Sequence, residues 1–464
     1  MTFQKLSRAL LCVTGAVGMT LGLTSCSNDR TVGYVYVLGT SVSGQTGVGA
    51  IGAFKEDNNN GNLTAIAGAA ASISSGGANP IRAVVPTGNR FMYVLNQGTA
   101  TQDTSTSSST YLSQLYTSAN ISLFSIGGYG QLSQQLQYAS QGYGSTRMAL
   151  SSGGNYLLVL DQFAPVGISG GGATSPNAST TASTNFPCLG SDNLYHPVGD
   201  ISVYSIDAST GRLQVQPNNV NTALTYFPVG CFPVDFRVTA SYVYVVDAGS
   251  VTTPFHTNDV QTVFVQAISA TGQLTNTQTN VQQISTNMTP SISAITGDSS
   301  SYIYLLDTLN NLIYDYSIGS SGTLVAVNGS PFPNNTTVSG GGPVQSVVDS
   351  TGKYLFLANG QNVAGNASST TTSADVTGYN INATTGDLDV AVQNGGFTLG
   401  TVSSPVCIFE DPTNQYLYVA GAADNSITGR IIDPNTGTLK ALNKNATVGT
   451  VGTPSWCLGI SSAL

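Results

Sequence analysis

Charged side chains are scarce in this sequence. Asp, Glu, Lys and Arg make up 8% of the 464 residues, against about a quarter in ordinary globular proteins. The only glutamates are Glu56 and Glu410, so strong helix formers are few and strand and turn formers take their place. The 13 Lys and Arg residues are outnumbered by 22 Asp and Glu residues, which excludes the basic surface that nucleic-acid binding requires.

Several catalytic and metal-binding motifs are also missing. The sequence has no HExxH motif, no Gly-rich phosphate loop, no nucleophile elbow and no CxxC pair, which argues against zinc proteases, P-loop enzymes and α/β-hydrolases. The two histidines, His196 and His256, have Asp200 and Asp259 near them in the sequence. A metal site between two neighbouring loops therefore stays open as an alternative.

The first thirty residues have the features of an export signal. Lys5 and Arg8 precede an apolar run that ends in Leu-Thr-Ser-Cys26, and this run is too short to span a bilayer. The ending resembles the lipobox of bacterial lipoproteins, which implies that Cys26 is the first mature residue and carries the lipid. We therefore expect a signal peptide at 1–25, a lipidated tether at 26–30 and a folded domain at 31–464. The alternative is a plain secretory signal in which Cys26 has no role.

Two phrases each occur seven times in the predicted domain. One is an alternating aromatic strand: Tyr34–Leu38, Phe91–Leu95, Tyr156–Leu160, Tyr242–Val246, Tyr302–Leu306, Tyr354–Ala358 and Tyr416–Ala420. The other is Gly-x-Leu after a turn: Gly61/Leu63, Gly130/Leu132, Gly211/Leu213, Gly272/Leu274, Gly322/Leu324, Gly386/Leu388 and Gly437/Leu439. Before each aromatic strand comes an apolar stretch that begins at Pro80, Ser145, Pro233, Pro290, Pro343, Pro405 or Pro454.

These phrases predict an all-β fold, a single seven-bladed β-propeller with four antiparallel strands per blade, a to d. A sandwich would not repeat one four-strand phrase seven times. The first strand of the mature chain, 34–38, is of type b and has no a strand before it. The last segment, 454–460, is of type a and has nothing after it. We therefore expect these two segments to pair and to close the ring, which removes two exposed strand edges.

The residues beyond a minimal blade are concentrated in the b–c connections. The longest of these are 97–119, 162–199, 248–259 and 360–374, and they share one side of the propeller with the d–a connections. We call this side the loop-rich face, and the opposite side, which carries the c–d turns, the turn face. Long loops on a rigid scaffold serve recognition or are tolerated insertions, and the sequence leaves both open.

Four cysteines remain besides Cys12 and Cys26, an even number that favours disulfides in an exported chain. Cys188 and Cys231 both fall on the loop-rich face, which allows a bond between them. Cys407 and Cys457 occupy similar positions on neighbouring a strands. A bond there requires their Cα atoms to lie within about 7 Å, and the alternative is that the strands hold them further apart.

The repeated phrases resemble the lactonase family of seven-bladed propellers, which includes bacterial 6-phosphogluconolactonases. The clearest match runs from Pro343 to Asn359 and contains Asp-Ser-Thr-Gly-Lys-Tyr. The resemblance covers nearly the whole mature chain and implies a lactone-opening ancestor. Catalytic members carry a Pro-His step at the start of an a strand, whereas the residues at that step here are Ile81, Thr146, Val234, Ser291, Val344, Val406 and Ser455.

The predicted a strands line the central channel and carry most of the candidate site. Their polar members are Arg82, Arg147, Asp235, Arg237, Gln345 and Glu410. We expect an anion site in which Arg82 and Arg147 bind the ligand and Glu410 or Asp235 is the general base. The alternative is that these charges pair with one another across the channel.

A second polar set closes the b strands: Asn96, Asp161, Asp247, Asp307 and Asn359. Such side chains usually cap turns, so we expect no cofactor, with a calcium ion left open. The interpretation we favour is a monomeric binding or scaffold module, anchored through Cys26 to the bacterial outer membrane. Its partner would be a small anionic ligand or a protein on the loop-rich face, and nucleic acid is not expected. The alternative is a hydrolase that opens sugar-type lactones at the channel mouth.

Overall fold

The computed structural model describes residues 30–40, 47–66, 73–101, 115–116, 119–165, 187–189, 195–249, 261–284, 291–298, 301–338, 341–361, 374–392, 397–398, 404–444 and 446–462. Within them, seven antiparallel sheets stand in a ring around a channel, each with its strands in the order a, b, c, d from the centre outward. The described residues form no helix, and hence none suited to crossing a membrane. The predicted seven-bladed propeller is confirmed.

We number the blades 1 to 7 in the chain order of their b strands. The a strands, from blade 1 to blade 7, are Pro454–Ser461, Pro80–Val84, Tyr143–Leu150, Cys231–Val238, Ile292–Gly297, Gly341–Val348 and Pro405–Glu410. The b strands are Thr31–Gly39, Phe91–Asn96, Tyr156–Phe163, Tyr242–Gly249, Tyr302–Asp307, Tyr354–Gln361 and Tyr416–Gly421. The c strands are Ala50–Asp57, Asn120–Ile126, Asp200–Ile206, Thr262–Ile268, Leu312–Ile318, Asp375–Ile381 and Ser426–Ile432.

The outermost d strands vary most in length. They are Leu63–Ala65, Leu132–Ala139, Leu213–Val215, Leu274–Gln283, Leu324–Ala326, Leu388–Ala391 and Leu439–Ala441. In five blades a second segment also pairs with strand c: Ile73–Ser74, Phe227–Pro228, Phe332–Pro333, Phe397–Thr398 and Thr447–Gly449. Two small hairpins stand on the loop-rich face, Ala100–Thr101 with Leu115–Tyr116 and Cys188–Leu189 with Tyr195–His196.

The ring closes as the sequence predicts. The last strand lies beside the first with Tyr34 opposite Ile460 and Leu38 opposite Trp456. Blade 1 therefore takes its a strand from the C-terminal end of the chain and its other three strands from the N-terminal end. All seven blades therefore have an a strand next to the channel.

The core lies between blades rather than inside a single sheet. Tyr244 and Val246 of blade 4 pack in one buried cluster with Ile303 and Leu305 of blade 5, and the other blade pairs repeat the arrangement. Each b strand is covered on both faces by neighbouring sheets. This burial explains why the b strands read as nearly continuous apolar runs rather than as strict alternation.

The two repeated phrases are the two sides of one contact between blades. The first aromatic residue of each b strand covers the Gly of the next blade's Gly-x-Leu turn, so that an added Cβ would come within 2.1 to 2.7 Å of the ring. All seven glycines have positive φ values of 65° to 81°. The pairs are Tyr34–Gly130, Phe91–Gly211, Tyr156–Gly272, Tyr242–Gly322, Tyr302–Gly386, Tyr354–Gly437 and Tyr416–Gly61. Glycine is required here by both the backbone conformation and the space.

Hydroxyl groups add a second link across four of these junctions. The tyrosine two positions after the first aromatic residue donates to the carbonyl oxygen of the same glycine, over 2.6 to 3.0 Å. These tyrosines are Tyr36, Tyr93, Tyr244 and Tyr418. The repeated residues thus determine how neighbouring blades contact each other as well as where the strands of each blade lie.

The Asp of the phrase Asp-Ser-Thr-Gly-Lys-Tyr closes the a–b turn. Asp349 Oδ1 accepts the backbone N–H groups of Lys353 and Tyr354 at 2.7 and 2.6 Å. Asp411 makes the equivalent bonds to Gln415 and Tyr416 at 2.8 and 2.7 Å. These turns lie on the same side as the c–d turns, so the turn face consists of short, tightly bonded connections.

Every a strand has an irregular step near its start, where one residue is skipped in the ladder to strand b. The skipped residues are Ile81, Thr146, Val234, Ser293, Val344, Val406 and Ser455. Six of them follow the predicted start of the apolar stretch. In blade 5 the equivalent of the proline is Ile292, so the assignment of Pro290 and Ser291 to these two positions was wrong by two residues.

Both predicted disulfides are present. Cys188 and Cys231 are bonded with Cα atoms 5.6 Å apart, and Cys407 and Cys457 with Cα atoms 5.8 Å apart. The second bond joins the a strands of blades 7 and 1, so it covalently fastens the junction beside the closing strand. Neighbouring a strands are close enough here because they converge on the channel.

Candidate functional site

The central channel widens into a cavity of about 400 Å³ on the side of the turn face. It is lined by the later residues of the a strands, close to the a–b turns. Its polar lining residues are Arg82, Arg237, Thr296, Gln345, Ser346 and Trp456, and apolar side chains fill the rest of the wall. These six residues come from five different blades, so only the closed ring assembles them.

Three charged side chains from blades 2, 3 and 4, Arg82, Arg147 and Asp235, meet beside this cavity, and Arg82 is the one among them that lines it. A guanidinium nitrogen of Arg147 lies 3.1 Å from Asp235 Oδ1, and one of Arg82 lies 3.6 Å from the same oxygen. Asp235 is almost fully buried and also accepts the backbone N–H groups of Phe236 at 2.9 Å and Ile295 at 3.3 Å. The carboxylate is therefore saturated, and two guanidinium groups share its single charge.

The sequence left open whether these charges form a ligand site or pair with one another. The structure shows that Arg82, Arg147 and Asp235 do pair, but the pairing does not balance the charge. Burial, followed by repulsion from Arg147, lowers the pKa of Arg82 to about 9, against the opposing attraction of Asp235. The centroid of the Trp456 ring lies 3.7 Å from the Arg82 guanidinium carbon. The face of the ring attracts this positive charge weakly and does not neutralise it.

Further hydrogen-bond donors in the cavity wall have no acceptor. Within the described residues, Ser346 Oγ, Trp456 Nε1 and Arg237 Nε are buried without a hydrogen-bond partner. Arg237 does use Nη2, which donates to the carbonyl oxygens of Gly297 at 2.9 Å and Asp298 at 3.1 Å. Donors without partners and surplus positive charge thus lie around one cavity, and an anion with several oxygen atoms would complement both.

Glu410 does not join this cluster. It ends the a strand of blade 7, it is not among the residues that line the cavity, and its Oε2 accepts the backbone N–H of Ser350 in the neighbouring a–b turn at 2.7 Å. Burial raises the pKa of Glu410 to about 7. The value suits a base at neutral pH, but the geometry separates this carboxylate from the arginines with which the sequence grouped it.

The candidate residues on the loop-rich face serve the fold where the structure describes them. The Asn96 amide donates to Ser75 O and Asn120 Oδ1, Asp161 accepts from Gly142 N at 3.1 Å, and Asn359 bonds Asn334 and Asp375. They fasten d–a connections to the ends of the b strands. Among the described residues, no group of three or more His, Cys, Asp or Glu side chains is placed to hold a metal ion.

His196 is fully buried rather than exposed in a loop. Its ring stacks on Phe163 at 5.3 Å and meets the edge of Phe232 at 5.5 Å between centroids, and it lies opposite Cys188 in the small hairpin. It therefore supports the disulfide region of blade 3. His256 and Asp259 lie outside the described residues, as do Cys26 and most of the four long loops.

Sequence reasoning missed three polar members of the cavity wall, Thr296, Ser346 and Trp456. Trp456 is the only tryptophan of the chain and lies on the closing strand, opposite Leu38. Its signal in the sequence is that a single tryptophan falls on a predicted inner strand. Ser346 carries no comparable signal among so many serines.

Comparison with known proteins shows the fold and leaves the activity open. No family model matches the chain, and no curated protein matches it. The periplasmic gluconolactonase of Pseudomonas aeruginosa superposes with a TM-score of 0.59 at 15% sequence identity, over 92% of this chain and 99% of its own. A Bacteroides fragilis structure described as a "putative 6-phosphogluconolactonase" gives 0.58 at 15% identity, over 94% and 99%. A Lactobacillus plantarum protein also gives 0.58 at 15% identity, over 92% and 99%.

Proposed function

We propose that this protein is an exported, lipid-anchored propeller that binds a small organic anion, of the sugar-acid type, in its channel cavity. The single observation that carries the proposal is the cavity's excess of positive charge and donors. Arg82 and Arg147 share one carboxylate, and Ser346 and Trp456, which line the same cavity as Arg82, carry buried donors without hydrogen-bond partners. A carboxylate or phosphate would neutralise the surplus charge, and hydroxyl groups would use the amide of Gln345.

Export is supported by the two disulfides, since such bonds persist in oxidising compartments. Anchoring at Cys26 rests on the lipobox-like ending of the signal. The outer membrane is the proposed location, because no Asp follows that cysteine. A binding role for the loop-rich face, with a protein partner, belongs to the same proposal, and the long loops 97–119 and 162–199 are its support.

The proposal is tested by calorimetric titration of the purified domain with gluconate and 6-phosphogluconate. Arg147→Gln should weaken binding about 10- to 100-fold, because a charge-assisted hydrogen bond contributes roughly 1.5 to 3 kcal/mol. The matched control is Arg212→Gln, an exposed arginine in a c–d turn, which should leave the affinity unchanged. Equal affinities of the two variants, both with wild-type melting curves, would contradict a channel site.

A second candidate function is hydrolysis of a sugar lactone. It is favoured by the fold shared with a gluconolactonase, and Glu410, with its pKa raised to about 7, is the base we propose for it. Against it, no histidine or carboxylate is among the residues that line the cavity. Incubation with a panel of lactones at neutral pH, with and without calcium, separates the two candidates: turnover that is lost in Glu410→Gln would establish the hydrolase.

A further inference from the structure

The chain enters the propeller on the turn face. Thr31, at the start of the b strand of blade 1, lies opposite Asp57, which begins the c–d turn of the same blade. The Arg30 carbonyl oxygen accepts the backbone N–H of Asn58 at 2.9 Å, and Ser462 N donates to Val32 O at 2.9 Å. The polypeptide is thus bonded to the turn face up to Arg30, and strand b runs from there toward the loop-rich face.

The tether that precedes Arg30 is short. Four peptide units join Cys26 to Arg30, and a fully extended chain gains at most about 3.6 Å per residue, so the reach is about 15 Å. The b strand Thr31–Gly39 covers about 26 Å at about 3.3 Å per residue. A lipid on Cys26 therefore cannot be brought round the body to the loop-rich face.

From this geometry we infer that the turn face is the membrane-facing surface, and that the loop-rich face points away from the bilayer. The inference rests on the lipid anchor of the proposed function. The cavity of Arg82 and Trp456 then opens toward the lipid, and the long loops are free to meet soluble partners.

The charge of the turn face indicates that the lipid, and not the protein surface, holds this orientation. Its turns carry Asp57, Asp207, Asp349, Asp411 and Asp433, and each carboxylate accepts a backbone N–H of its own turn. Arg90, Arg212 and Lys353 lie in the same turns, and Lys440 pairs with Asp433 at 3.4 Å. The turn face therefore has no excess of positive charge that would attract anionic lipid headgroups. The chain without its lipid should therefore not bind vesicles of phosphatidylglycerol and phosphatidylethanolamine.

The test compares two labelled positions in one blade, on the full lipidated chain reconstituted into such vesicles. Ser320→Cys places a fluorophore on the c–d turn of blade 5, and Leu309→Cys places it on the b–c turn of that blade; both sites are exposed. Energy transfer to an acceptor lipid should be several-fold stronger from position 320. Blade 5 lies across the ring from blade 1, so a propeller resting on its edge would give equal transfer.

Each outcome decides a different point. Stronger transfer from position 320, with a Cys26→Ser chain that stays in solution, supports the orientation. Equal transfer, or stronger transfer from position 309, overturns it while the anchor stands, provided that the wild-type chain floats with the vesicles. A wild-type chain that does not float overturns the anchor and the orientation together, and a Cys26→Ser chain that floats overturns the role given to the lipid.

Discussion

Glu56, which with Glu410 is one of the two glutamates in the sequence, allows a prediction about how the stability of the fold depends on pH. The Tyr418 hydroxyl lies 2.6 Å from the carbonyl oxygen of Gly61 and 2.9 Å from Glu56 Oε1. The Tyr418 hydroxyl is the donor to both oxygens, and the other carboxyl oxygen of Glu56, Oε2, is buried without a hydrogen-bond partner. Burial of this carboxyl group at the junction of blades 7 and 1 favours its neutral form.

The pKa of Glu56 agrees with this assignment. Burial, followed by repulsion from Asp411, raises it from 4.5 to about 8, and the Tyr418 hydrogen bond opposes the shift. An acid with a raised folded-state pKa gives its full stabilisation below the unfolded pKa and loses it as pH rises toward the folded pKa. The free energy of unfolding therefore falls by about 1.4 kcal/mol for each pH unit between 4.5 and about 8, and by about 5 kcal/mol over this whole pH range.

The perturbation is Glu56→Gln, which keeps the shape and removes the titration. Denaturant unfolding at several pH values should give a wild-type curve that falls more steeply than the variant's, by about 1.4 kcal/mol per pH unit between pH 5 and 8. Other buried acids titrate in both proteins and cancel in the difference. Tyr418→Phe is the control, because burial of Glu56 persists and the wild-type slope should remain. Parallel curves for wild type and Glu56→Gln would refute the reasoning.

Three further predictions concern the blade junctions and the cavity. Gly437→Ala should destabilise the fold by at least about 1 kcal/mol more than Gly352→Ala in thermal unfolding. Both glycines have a φ of 69°, but Gly437 is covered by the ring of Tyr354 and Gly352 has no atom close to an added Cβ. Equal losses of stability would show that the ring contact is unimportant. Replacing Cys407 and Cys457 by Ala should lower the free energy of unfolding by about 4 kcal/mol, from the 50-residue separation and the loop-entropy relation, and an unchanged denaturation midpoint would argue against the bond. Anion affinity should fall in Arg82→Gln, because one of the two guanidinium groups that share Asp235 is lost, and an unchanged affinity would exclude Arg82 from the site.

Sequence reasoning reached the architecture because the repeat is dictated by local chemistry. A glycine with positive φ and an aromatic strand start are visible in one dimension, and seven copies of each leave few alternatives. Even the irregular blade 3, with Ser145 in place of proline, was placed correctly. In blade 5, the sequence predicts Pro290 as the equivalent of the prolines in the other blades, whereas Ile292 occupies that position. Only the pairing with strand b shows which residue is skipped.

The site was predicted less well because it depends on contacts between strands that are far apart in the sequence. The structure brings Arg82, Arg147 and Asp235 together, since all three lie at equivalent positions of inner strands. Glu410 occupies a similar strand but turns toward Ser350 of the next blade, and no sequence pattern determines that choice. Trp456 enters the cavity only because the closing strand brings it beside Arg82.

The central claim is that the channel cavity holds an anion, and the sole tryptophan reports on it directly. Trp456 lines the cavity and lies 3.7 Å from the Arg82 guanidinium group, so an anion that draws Arg82 away must change its emission. Titration of the purified domain with sugar acids, followed by tryptophan fluorescence, should give a saturable change that is weakened in Arg147→Gln and retained in Arg212→Gln. An emission spectrum that stays the same up to high ligand concentration, or changes equally in both variants, would contradict the claim.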